Sequence, residues 1–112
     1  MDEDPEVIIP QYKMIFAYDI ATSSNDSYLQ FVLGEMVPAM QEMGVYMTEA
    51  WHTGYGNYPL RMVVFVAEDI ETIQSMLASD RWEEIENQFM TFVRSYTRKV
   101  FSYRQGFQFI EN

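Results

Sequence analysis

Residues 45–67 read VYMTEAWHTGYGNYPLRMVVFVA. Two runs rich in β-branched and aromatic residues, 45–53 and about 60–67, flank a Gly-Tyr-Gly-Asn-Tyr-Pro loop, which is the pattern of an antiparallel hairpin. Because the hairpin lies mid-chain, the segments on either side of it fix the topology. Residues 12–20, YKMIFAYDI, place large side chains at Tyr12, Met14, Phe16, Tyr18 and Ile20, while Ile15 and Ala17 make the alternate face apolar too. This is a strand covered on both faces. The turn and cap residues ATSSNDS follow, then apolar positions at helical spacing through Leu29, Val32, Leu33, Met36 and Met40. Pro38 removes a backbone donor and crowds the turn near Gly34, which predicts a kink, and Gly44 is placed to end the helix in a left-handed conformation.

Beyond the hairpin, Asp69 is placed to cap a short helix carrying Ile70, Ile73 and Leu77. Asp80 is expected to open a second helix, with Glu83 as its capping-box partner and a buried stripe of Trp82, Ile85, Phe89, Phe92, Val93 and Tyr96. Residues 99–110 return to alternation, with Phe101, Tyr103, Phe107 and Phe109 on one face and a bend or bulge at Gly106. The order strand, helix, strand, strand, helix pair, strand is the split βαβ pattern. It predicts an α+β, ferredoxin-like βαββαβ fold: a four-stranded antiparallel sheet with helices on one face. The other face is apolar and lacks a cover from its own chain, so a homodimer packed sheet to sheet is expected.

The chain has 112 residues and no Gly/Ser- or Pro-rich linker, which reads as one domain over 12–112 after an acidic leader, 1–11. With 48% hydrophobic and 16% aromatic residues it can fill a core, so disorder is not expected. A formal net charge of −10 disfavours nucleic acid and anionic membrane surfaces as partners. The absence of cysteine excludes disulfides, thiolate metal sites and cysteine nucleophiles. No signal-peptide pattern or membrane-spanning apolar run is found, so a cytoplasmic location is expected.

The element order over residues 12–110, and the segment DIETIQSMLASDRWEEIENQFMTFVRSYTRKVF (69–101), resemble the dimeric α/β-barrel superfamily. That superfamily includes NIPSNAP-like and antibiotic-biosynthesis-monooxygenase-type proteins. The resemblance implies a dimeric α/β barrel. Because members include cofactor-independent oxygenases, isomerases and haem-handling proteins, it does not select an activity. No family catalytic motif maps onto this sequence, and no cofactor is expected.

His52 is the only histidine and therefore the first candidate for a general base. Glu49, three residues away, falls on the opposite side of a regular strand, so the two cannot act together locally. A hairpin-end histidine bonded to backbone or solvent is the simpler role, and haem ligation through it has no second motif in support. Trp51 and Glu49 should share a face with Met47 and Val45; there Glu49 is an acid–base candidate or a rim carboxylate paired with Arg61 or Arg104. Tyr18 and Tyr103, with Trp51, are candidates to position an aromatic ligand, and Tyr12, Tyr46, Tyr55 and Tyr58 add to a phenol-rich chain. The nine methionines fill an irregular core or line an adaptable cavity. The GYGNYP loop lacks the strand-to-helix context of a phosphate loop. The expected function is binding of a small apolar or aromatic ligand. The alternative is a cofactor-independent monooxygenase or isomerase acting on a planar aromatic or polyketide-like substrate, with His52 as base.

Overall fold

Alternation of Met14, Phe16 and Tyr18 with smaller or polar neighbours makes strand β1 (Tyr12–Ile20), whose large side chains are fully buried. In the computed structural model, which describes residues 9–21, 25–53 and 60–102, β1 is a central strand of a four-stranded antiparallel sheet. The others are β2 (Tyr46–Thr53), β3 (Leu60–Ala67) and β4 (Val93–Ser102), in the order β2-β3-β1-β4. β1 pairs with β3 on one side and β4 on the other, as the ferredoxin-like order requires. The acidic leader up to residue 8, the loop 54–59, and Tyr103, Arg104, Gly106, Phe107 and Phe109 lie outside the described residues.

The helices cover one face of the sheet. The first rod comprises α1 (Asn25–Phe31), a π-helical turn (Val32–Met36) and α2 (Val37–Glu42). The wide turn is the form taken by the break expected from Pro38. Pro38 cannot donate to the carbonyl of residue 34, and just before it the Val37 N–H reaches back five residues to the Val32 carbonyl. The extra residue resets the helix phase. Tyr28 and Phe31 before the turn, Val32 and Met36 at its two ends, and Ala39 and Met40 after it face the core, whereas Leu33, expected inside, is exposed. The rod ends at Gly44 with φ +88°, the Val45 N–H bonding to the Met40 carbonyl and the Gly44 N–H to the Gln41 carbonyl. A Cβ at Gly44 would meet Thr72 Cγ2 at 2.8 Å, so only glycine fits.

Helix α3 (Ile70–Leu77) is capped by Asp69, whose Oδ1 accepts from the Thr72 N–H at 2.8 Å and the Thr72 hydroxyl at 2.7 Å. Those hydrogen bonds hold the Asp69 carboxyl below its ordinary value. Helix α4 (Asp80–Phe89) is capped not by Asp80 but by Ser79, whose Oγ accepts from the Trp82 N–H. Asp80 becomes the first helical residue, and the expected capping-box role of Glu83 falls away with it.

A larger correction concerns Val93 and Tyr96. Both point to the core, at a spacing of three that imitates a helix, but they belong to β4. Ser95 is left-handed (φ +54°), and the β1–β4 register shifts between Ala17 and Asp19, so two residues of β4 stand opposite Tyr18. This bulge turns Val93 and Tyr96 to the same face despite opposite parity. Trp82, Phe89, Tyr96 and Phe65 surround Phe16, with ring centroids 5.0–6.1 Å apart.

Candidate ligand site between sheet and helices

A second bulge decides which residues of β2 face the helices. The β2–β3 register shifts between Met47 and Glu49, leaving Thr48 without a register partner. Met47 pairs with Phe65 on the helix-facing side, whereas Glu49 pairs with Val64 and Trp51 with Met62 on the open side. The four residues expected to share one face are thus split into two pairs. Glu49 accepts from Trp51 Nε1 at 3.0 Å and lies on the face opposite Arg61, so the Glu49–Arg61 pair does not form. His52 pairs with Arg61, and Arg61 with Tyr18, so the three form one row across β2, β3 and β1 on the helix-facing side. His52 is exposed at the outer end of that row.

At the inner end, Tyr18 meets Tyr28 from α1. The two hydroxyls share a short hydrogen bond, and the Arg61 guanidinium lies 5.4 Å from the centre of the Tyr28 ring, in cation–π range. Burial pushes both phenols above their ordinary range. The hydrogen bond to Tyr28 raises Tyr18 further, and Arg61 only partly opposes the effect. Both therefore remain neutral donors and acceptors near neutral pH. Arg61 itself is half-buried, and its Nε is buried with no hydrogen-bond partner. Among the described residues no carboxylate pairs with it.

Sequence reasoning nominated Tyr18, Arg61, His52 and Trp51. The structure brings the first two together, leaves His52 at the rim and sends Trp51 to the other face. Tyr28 was missed, although its placement three and four residues before Phe31 and Val32 put it on the apolar side of α1. Tyr103 and Arg104 lie outside the described residues. Among those described, no group of three or more His, Asp or Glu side chains gathers as a metal site.

The open face is built from Lys13, Ile15, Ala17, Met62, Val64 and Val66, with Tyr46, Glu49 and Trp51 toward one edge and Thr97, Lys99 and Phe101 toward the other. Trp51 is 59% exposed and Phe101 42%. A depression of about 260 Å³ there is lined by Ile15, Ala17, Met62, Thr97, Lys99 and Phe101. No described helix is long and apolar enough to cross a membrane.

No protein-family model matches the sequence, and no curated protein matches it. Solved structures do share its fold. A NIPSNAP family protein from Agrobacterium tumefaciens is 12% identical with a TM-score of 0.64, over 88% of this chain and 97% of that one. A NIPSNAP domain protein from Burkholderia xenovorans is 9% identical with a TM-score of 0.64, over 86% and 97%. SnoaB, a cofactor-independent oxygenase from Streptomyces nogalater, is 10% identical with a TM-score of 0.64, over 89% and 99%. With helices on one face of an antiparallel sheet in the order β2-β3-β1-β4, the chain has a ferredoxin-like α+β fold, the fold of the NIPSNAP proteins and this oxygenase.

Proposed function

We propose that the protein binds a small, largely apolar, planar ligand where α1 meets the helix-facing side of β1 and β3. The observation that carries this reading is the convergence of Tyr18, Tyr28 and Arg61: two neutral hydroxyls and a cation lacking a described carboxylate, set among aromatic rings. A mostly apolar site with a few converging polar groups is the usual make-up of a small-molecule pocket. Saturation-transfer NMR with 2-naphthol tests it. We expect transfer to the ligand that Tyr28→Leu abolishes while the variant still melts cooperatively. Transfer that survives this substitution, or none in the unmodified protein, refutes the placement.

The protein is further proposed to be a cytoplasmic homodimer, joined through the open face. Trp51 and Phe101 at opposite edges, with the apolar strip of Ile15, Met62, Val64 and Val66 between them, support that contact. Light scattering should give twice the monomer mass, and Trp51→Lys with Phe101→Lys should halve it. Cofactor-independent oxygenation, the activity of SnoaB, is the second reading. The row shared by His52, Arg61 and Tyr18 favours it, and the exposure of His52 counts against His52 as a sequestered base. Oxygen uptake with a dihydroxynaphthalene, lost in His52→Ala, would promote it above simple binding.

A further inference from the structure

The fold uses a tyrosine with an arginine twice on the helix-facing side of the sheet, and only one of the two clusters contains a carboxylate. On β4, the Tyr96 hydroxyl donates to Glu86 Oε2 at 2.8 Å, and Arg98 pairs with the same oxygen. At the other cluster, among the described residues, Arg61 meets the ring of Tyr28 and the two phenols. The chain does not lack acids: it carries seventeen against seven basic residues. Arg81 pairs with Glu42 as well, so the half-buried Arg61 stands out as a cation whose charge the described fold leaves uncompensated.

We propose that the ligand of this cluster is an acid, a planar aromatic carboxylate, whose carboxylate is held by Arg61, the part-exposed member of the cluster. Since burial holds both phenols neutral, neither supplies a counter-ion, and among the described residues the cluster leaves that charge to the ligand. Arg61 is only part-buried, and an acid that reaches its guanidinium makes charge-assisted bonds that a neutral analogue cannot match. A local cation is also what lets an anion approach a chain of net charge −10. The inference rests on the ligand site proposed above and adds the charge of what it takes.

The test compares 2-naphthoate with 2-naphthamide, which has nearly the same shape and no charge, by calorimetric titration of the full chain. Naphthoate should bind about tenfold or more tightly, the scale of a charge-assisted hydrogen bond. In Arg61→Gln that ratio should fall to about one, and in Arg61→Lys it should be intermediate because the charge remains without the planar fork. Equal binding of the two probes refutes the acid and leaves the ligand site standing. A ratio that survives in Arg61→Gln refutes the assignment to Arg61. Binding of neither probe at millimolar concentration refutes both the acid and the site. If Arg61→Gln fails to fold, the ratio in the unmodified protein, together with the Arg61→Lys ratio, decides.

Discussion

The two tyrosine–arginine clusters share a neighbour, since Phe89 packs edge-on against Tyr18 at 5.0 Å and against Tyr96 at 5.1 Å. They differ in completeness. Tyr96, Arg98 and Glu86 satisfy one another and tie α4 to β4, as polar groups at a packing boundary should. Tyr18, Tyr28 and Arg61 tie α1 to the sheet through a hydrogen bond and a ring contact, with the charge left over. The first arrangement is finished within the chain, and the second has no carboxylate among the described residues. The residue types are nearly the same, so the difference lies in which neighbour the fold delivers.

The most damaging way to probe the pair is to remove what they share. Phe89→Ala should cost about 3–5 kcal/mol in urea unfolding, as deletion of a buried aromatic does. It should loosen both clusters together. Glu86→Gln comes next, at about 1–3 kcal/mol, because the amide keeps an acceptor but loses the charge that pairs with Arg98 in a part-buried site. Arg61→Met should cost less than that or even stabilise the unliganded chain, since it orphans no carboxylate among the described residues. If Arg61→Met is as costly as Glu86→Gln, both clusters are structural and the contrast between them disappears.

Alkaline titration sharpens the same contrast with opposite signs. Burial first, then the hydrogen bond to Glu86, raises Tyr96, so Glu86→Gln should lower its titration and leave Tyr18 alone. Arg61 lowers both Tyr18 and Tyr28, so Arg61→Gln should raise them further. Carbon-13 spectra of labelled tyrosine distinguish the two shifts. Because the folded values lie above the unfolded one, the associated stability is fully present below pH about 10 and is lost as pH rises through the folded values. Melting temperature should therefore fall on the alkaline side. The smallest effect is expected at Asp69, which is fully exposed and belongs to neither cluster. Its depressed carboxyl contributes stability above about pH 4 that disappears as pH falls through the folded value, and Asp69→Ala should flatten that acid limb in thermal melts.

Much of the architecture could be read from periodicity and punctuation. The central hairpin, the Pro38 disturbance, the Gly44 terminus and the Asp69 cap rest on residues whose backbone chemistry is local. The misreadings have a common origin in bulges formed without glycine. Thr48 and Ser95 each add a residue to a strand without a sequence mark, so Trp51 and Glu49 change faces and Val93 and Tyr96 imitate a helix. The ligand cluster was half legible. Tyr18 and Arg61 were nominated on residue type, but their meeting depends on register across β1 and β3, and Tyr28 reaches them only through the packing of α1.

Those same two irregularities govern how the rims of the sheet behave toward other chains. β2 and β4 are the outermost strands; the bulge at Thr48 splits β2 and leaves residues 49–53 as its longer unbroken run, while the bulge at Ser95 and Tyr96 lies near the start of β4. A template for accretion needs a long, flat ladder of free amides and carbonyls, and a twist inserted midway denies it one. On the β2 border, therefore, Trp51 stands exposed without a long flat ladder beside it.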